Sequence, residues 1–143
     1  MSFDLKIVKG DLALSSTGDL ATVENTTKLV QDILKILTTQ IGSNPFFPWY
    51  GSPISKSLVG KAYEKRFISA IATTQLRSTL GTLQQLQQIQ LRTDQMVTPQ
   101  EQIAAIQNVS VQRDTIDPRN FLLTLTVLNK AFRSTQVSLK VTL

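Results

Sequence analysis

Chemistry needs groups that give or take a proton, attack, or hold a metal, and this chain has few of them. It contains no histidine and no cysteine. The commonest metal ligand and the usual general base near neutral pH are therefore missing. Neither a Ser-His-Asp nor a Cys-His centre can be built from the chain alone. What remains is a set of ten acidic side chains. Asp4, Asp11 and Asp19 fall at or near turn signals, Glu64 on a helical stretch, and Glu101 in the run Thr98-Pro99-Gln100-Glu101. Hydrolysis of a glycosidic bond asks for two carboxyl groups about 5 to 10 Å apart. No pair here has a spacing or a polar setting of that kind. No catalytic residue, metal site or cofactor is expected.

The cationic side chains point to a second possible chemistry. The formal charge is +5, and Lys56, Lys61, Lys65, Arg66 and Arg77 gather in the middle of the chain. Such a cluster can meet an anionic partner or simply solvate one face of a helix. Nucleic-acid binding would want exposed aromatics between the charges or a known docking motif, and neither is present.

The aromatic residues are concentrated in one place. Phe46, Phe47, Trp49 and Tyr50 lie among Pro45, Pro48 and Pro53. Each proline fixes φ, removes a donor and biases the preceding residue towards extended backbone, so the loop is expected to be rigid. Phe46, Phe47 and Trp49 can cap the end of the core, as aromatics mostly bury. Trp49 or Tyr50 can instead anchor another subunit. Both readings hold if different rings do each job.

The elements around this loop follow from periodicity. Leu29, Ile33, Ile36, Leu37 and Ile41 recur at helical spacing, with Val30 and Leu34 widening the face. Asn25 or Thr26 is placed to cap the start and Gly42 to stop the helix. Before it, Leu5–Val8, Leu12–Leu14 and Leu20–Val23 read as a small meander. After the loop, a short helix from about Ile54 to Val59 should end at Gly60. A long one then carries Tyr63, Phe67, Ile71, Leu76, Leu80, Leu83, Leu86 and Ile89, with a kink or break at Gly81. Glutamine dominates the polar positions from Gln84 to Gln107, which leaves a face free to lie near other proteins or to be plain surface. Thr98-Pro99-Gln100-Glu101 has the letters of a capping box, predicting a short helix to about Ala105.

The end of the chain alternates as strands do. Val109–Gln112, Phe121–Val127 and Val137–Leu143 are predicted strands, with turns at Asp114–Asn120 and Asn129–Arg133. Short turns make them antiparallel, and helices on one face give an α+β architecture. The last strand can be an open edge or be paired on both sides. At 143 residues a single domain over 1–143 is expected. No run approaches the ~20 apolar residues that span a bilayer, and Met1–Gly10 lacks the shape of a signal peptide. A soluble protein that stays where it is made is expected.

The stretch LTTQIGSNPFFPWYGSPI resembles the signature of the small baseplate wedge proteins of contractile phage tails. That family often carries a lysozyme-like name and has a counterpart in type VI secretion baseplates. Leu37, Thr38, Gly42, Pro48, Tyr50 and Gly51 match its pattern, while Ser43 and Asn44 stand where an acidic residue is frequent. Gly10-Asp11-Leu12 fits the hairpin that opens the family. By position Glu101 answers to the glutamate of a family Glu-Pro-Arg motif, with Gln102 and Ile103 replacing the other two. Asp117-Pro118-Arg119 fits better by letter but leaves too few strands after it.

The resemblance implies a structural subunit without enzymatic activity, cofactor, small-molecule substrate or membrane contact. It would join inner baseplate proteins to the first sheath ring, in a virion tail assembled in the host cytoplasm. Its partners would be other wedge subunits, the sheath protein and the tail tube. Gly42, Pro48 and Gly51 would shape the turn. Trp49, Tyr50, Glu101, Val137, Leu139, Val141 and Leu143 are the candidate interface residues, the last four by strand addition to a terminal edge. The competing functions are a lysozyme-like glycoside hydrolase and a basic nucleic-acid-binding accessory protein.

Overall fold

The computed structural model describes residues 2–58, 65–93 and 96–142. Strands β1 (Asp4–Leu5), β2 (Ile7–Val8), β3 (Asp11–Leu12) and β4 (Thr22–Val23) form two small antiparallel pairs, β1 with β4 and β2 with β3. A bridge between Leu14 and Leu20 closes the meander. Helices α1 (Asn25–Thr38), α2 (Ile54–Leu58) and α3 (Lys65–Arg92) follow. Strands β5 (Ile103–Arg113), β6 (Asn120–Asn129) and β7 (Ser134–Thr142) complete an antiparallel sheet with β6 in the middle. The fold is α+β, with helices covering one face of this sheet.

Register explains the core. Phe121 pairs with Val141, Leu123 with Leu139 and Leu125 with Val137, so their side chains share the inner face. Leu29, Ile33 and Ile36 of α1 and Ile68, Ala72, Leu76 and Leu80 of α3 meet them there, all buried. On α3 the buried stripe runs through Ile68 and Ala72 rather than the expected Phe67 and Ile71. Phe67 lies one residue, about 100°, off that face and is exposed. Helix α3 continues unbroken through Gly81. The ~1 kcal/mol helical cost of glycine is outweighed by Leu76, Leu80 and Leu83, buried on either side of it.

Two boundaries differ from expectation. Helix α1 ends at Thr38, before Gly42, because the backbone turns extended at Thr39 and leaves to pair elsewhere. Gln40 bridges Ser52 in parallel, and the Thr39 hydroxyl turns back onto the Lys35 carbonyl at 2.7 Å. The helix expected over Thr98–Ala105 is a single 3-10 turn, Pro99–Glu101, and β5 already begins at Ile103. The cause lies on α3. Gln87 donates to the Glu101 carbonyl at 2.8 Å and accepts from the Ile103 N–H at 2.8 Å. It takes the two backbone groups that a continuing helix would need, and holds that stretch extended.

Candidate functional site

The proline-pinned loop is tied down by its own backbone. Ser52 N–H reaches the Thr39 carbonyl at 2.8 Å, Gly42 N–H the Pro48 carbonyl at 3.0 Å, and Tyr50 N–H the Phe47 carbonyl at 3.0 Å. Gly51 sits at φ +122, and a Cβ there would lie 2.6 Å from the Thr39 carbonyl oxygen, so only glycine lets the two segments close. Gly42, at φ +81, serves inside the turn rather than as the stop of α1.

Phe46, Phe47 and Trp49 do not cap the core, contrary to the first expectation above. They are 86%, 53% and 48% exposed. Ile54 and Leu58 are buried in the core, and of the loop's rings it is Tyr50 that packs against it, half-buried. Phe47, Trp49 and Tyr50 stack edge to face, with centroids 5.8 and 6.3 Å apart. Trp49 faces the second half of α3 across a cleft of about 210 Å³ lined by Thr82, Gln85, Leu86 and Ile89.

Behind Tyr50 lies a charged cluster that joins the meander to α1. Lys35 bonds Asp4 and lies 3.4 Å from Asp32, which in turn bonds the buried Lys28 at 2.8 Å. Gln31 donates to Asp4 at 3.0 Å and to the Leu5 carbonyl at 2.7 Å, and accepts from Ile7 N–H at 2.9 Å. Burial pushes the Asp4 carboxyl up, but the Lys35 and Gln31 bonds outweigh it and hold it below its usual value. Burial likewise pushes Lys35 down, and Asp4 and Asp32 together raise it. Burial raises the Tyr50 phenol, with Lys35 opposing.

Glu101 is 1% exposed, so its side chain offers no surface to a partner. Its carboxylate accepts the Thr98 N–H at 3.1 Å, which is one half of a capping box, and the Asn25 N–H at 3.3 Å. The Thr98 hydroxyl bonds the Asn25 side-chain oxygen at 3.1 Å. The acceptor at the start of α1 thus comes from the second half of the chain, not from Asn25 or Thr26. Among the described residues no cation pairs with Glu101. Glu101 precedes all three strands of the large sheet, whereas Asp117-Pro118-Arg119 lies in the β5–β6 turn, exposed, with Arg119 paired to its own Asp117.

Strand β7 is paired with β6 alone among the described residues. Its register runs from Ser134 to Thr142 without a shift. Strand β5, on the other side, breaks register twice, between Ile103 and Ala105 and between Ile106 and Asn108. Val137 is buried, and Leu139 and Val141 are half-buried on the core side. Leu143 lies outside the described residues, as do Tyr63, Gly60, Lys61 and Glu64.

The remaining polar groups are dispersed. Asp11 accepts its neighbour's N–H from Leu12, and Asp19 the Thr17 hydroxyl. Lys56 and Arg77 are exposed, and Arg66 lies 5.6 Å over the Phe67 ring. A cleft of about 350 Å³ at the sheet end is lined by Arg113, Asp114, Phe121 and Lys140. Both of its cations are engaged, Lys140 by Asp114 at 3.7 Å and Arg113 by the Pro118 carbonyl at 2.7 Å. No helix among the described residues is long and apolar enough to cross a membrane. Sequence reasoning missed Gln31 and Gln87. For Gln87 the available signal was a glutamine at helical spacing from Leu76, Leu80 and Leu83; Gln31, on the polar face of α1 with Lys28 and Lys35, carried no such signal.

No family model matches the chain, and no curated protein matches it by sequence. A solved structure of a Geobacter sulfurreducens protein, provisionally called a tail lysozyme, superposes with a TM-score of 0.62 over 93% of this chain and 96% of its own. Identity is 12%, so the likeness is one of fold.

Proposed function

We propose that the chain is a structural subunit of a contractile phage tail: a baseplate wedge component that links inner baseplate proteins to the first sheath ring. The observation that carries this reading is the side of β7 that no described residue pairs with. It is nine residues long, without a bulge or proline, and its one charge is Lys140. A regular edge of this kind accepts another strand. The register breaks in β5 blunt the opposite edge, so the sheath strand adds to β7. The fold shared with a protein named as a tail lysozyme supports the setting, as does the match of Gly42, Pro48, Tyr50 and Gly51 to the wedge signature.

In this role the chain does no chemistry. Its carboxylates hold structure: Asp4 holds the meander and Glu101 the start of α1. A hydrolase reading predicts peptidoglycan cleavage that Glu101→Gln abolishes, and the wedge reading predicts none.

The absence of cysteine makes the strand test direct. Ser138→Cys on β7 and Ser110→Cys on β5 place single thiols on the two outer strands. In assembled particles a short thiol cross-linker should join Ser138→Cys to the sheath protein and leave Ser110→Cys unlinked. The reverse pattern, or absence of the chain from particles, sinks the proposal.

A further inference from the structure

We infer that the open edge of β7 pairs with the same strand of a second copy of this chain, giving a two-fold dimer whose sheets run on as one. The inference rests on the edge that carries the proposed function, but not on the phage-tail setting. One edge holds one strand at a time, so the dimer is the form of the free chain, and a strand from any other protein must displace it.

The phase of the β6–β7 ladder shows what the edge offers. Asn129 N–H donates to the Arg133 carbonyl at 3.0 Å, one rung beyond the Leu128–Ser134 pair. Bonded and unbonded rungs alternate in an antiparallel ladder. Thr135, Val137, Leu139 and Val141 therefore bond β6, and the residues between them stand on unbonded rungs. Side chains come closest on those rungs. There the Thr124 and Ser138 hydroxyls meet at 3.5 Å, and Thr142 donates to the Asn120 side chain at 2.8 Å. The Asn120 carbonyl faces β5 instead, taking the Asp114 N–H at 2.8 Å. The N–H and C=O groups of Ser134, Gln136, Ser138, Lys140 and Thr142 thus point away from β6, and no described residue takes them.

These five residues are exposed, while Val137, Leu139 and Val141 between them pack on the core. A strand that fits must repeat that phase. It must bring free backbone groups at polar residues and place apolar residues between them on the core side. Strand β7 is itself such a strand. A two-fold axis at Ser138, perpendicular to the sheet, meets both demands, because the core faces of the two copies fall on the same side. Ser138 then faces the partner's Ser138, Gln136 the partner's Lys140, and Ser134 the partner's Thr142. Leu139 lies opposite the partner's Val137, which extends the apolar row.

Charge selects this register. Sliding the strands until the two Lys140 side chains are opposite sets like charges together and leaves only Ser138–Thr142 paired. Apart from Lys140, β7 has none of the devices that blunt an edge: no proline, no bulge and no inward charge. Self-complementary two-fold contacts are also the commonest way that copies of one chain associate.

Sedimentation of the purified chain at about 100 μM, enough to populate a small interface, should show a reversible dimer. Ser138→Pro removes an N–H that points outward and no bond of the fold. It should weaken the dimer at least about tenfold and leave the far-UV spectrum unchanged. A thiol series reads the register independently, and decides alone if the proline unfolds the chain. Oxidation of Ser138→Cys should give a covalent dimer, since facing α-carbons of a bonded pair lie about 5.5 Å apart, within disulfide reach. Gln136→Cys and Lys140→Cys should each stay uncoupled alone and couple when mixed. A monomer at that concentration, a dimer that a folded Ser138→Pro leaves intact, or Gln136→Cys coupling to itself overturns the inference. A dimer of this register from a chain that particles lack upholds the pairing and defeats the tail reading. A monomer that still cross-links to sheath through Ser138→Cys does the reverse.

Discussion

Glu101 Oε1 lies 3.3 Å from the backbone nitrogen of Asn25, across 76 residues of sequence. One carboxylate so fixes the start of the first helix and the turn that leads into the large sheet. Glu101→Ala leaves the Asn25 and Thr98 N–H groups without their acceptor. A buried unsatisfied donor costs about 1–3 kcal/mol, so a loss of about 2–4 kcal/mol is expected in urea unfolding. Glu101→Gln keeps an acceptor oxygen and should lose less. Equal losses for the two variants would show that the carboxylate's bonds are not what matters.

Gln87→Leu should destabilise the protein even though it completes the apolar stripe of α3. The leucine cannot pair with the Glu101 carbonyl or the Ile103 N–H, each now 2.8 Å from the glutamine amide. About 2–3 kcal/mol is expected from two stranded backbone groups, read by chemical denaturation. A neutral or stabilising result would mean the stripe, not the amide, sets the junction.

Gly51 and Gly42 should respond differently to alanine. At Gly51 the new methyl collides with Thr39 at 2.6 Å, at φ +122. At Gly42, φ is +81 but nothing lies within 4 Å. Gly42→Ala should cost about 1–2 kcal/mol from backbone conformation alone. Gly51→Ala should cost more and shift the emission of Trp49, the only tryptophan, as the loop opens. Matching melting temperatures for the two would contradict the close approach.

The link from meander to α1 should weaken at both ends of the pH scale. The Asp4 carboxyl is depressed in the folded state, so its contribution is fully present above 3.8, its ordinary value, and is lost as pH falls through the lower folded value. The Lys35 ammonium is raised, so its contribution is fully present below 10.5 and is lost as pH rises through the higher folded value. Both side chains are partly solvated, so screening keeps the total under about 1 kcal/mol. The stability gap between wild type and Asp4→Asn should be flat between these limits and close beyond each, as measured by thermal melting across pH. A gap independent of pH would assign the link to Gln31 instead.

The three strands were legible because Phe121–Val127 and Val137–Val141 alternate, and alternation has one interpretation when one face is buried. Helix α1 was legible for the same reason at a different period. The start of β5 was not, since Ile103–Gln107 has no alternation and a helical cap stands just before it; the deciding group, Gln87, acts from another element. The loop's closure at Gly51 could be matched to a family signature, but its physical cause is the approach of Thr39. The exposure of Phe46, Phe47 and Trp49 was weighed against burial on composition alone. Pairing within the loop backbone and the place already taken by Tyr50 reverse that weighting.

The long reach from Asn25 to Glu101 also orders events in time. During synthesis, α1 emerges well before the residue that completes its first turn. Until the chain has been extended past Glu101, that helix has its apolar face and no sheet to bury it, and its terminal N–H has only water. Loop-closure entropy must be met before such distant contacts form. Consolidation of the first helix is therefore a late event, coupled to that of β5–β7. A ribosome-bound fragment ending before residue 101 should show α1 poorly protected from hydrogen exchange, and the full chain should protect helix and sheet together.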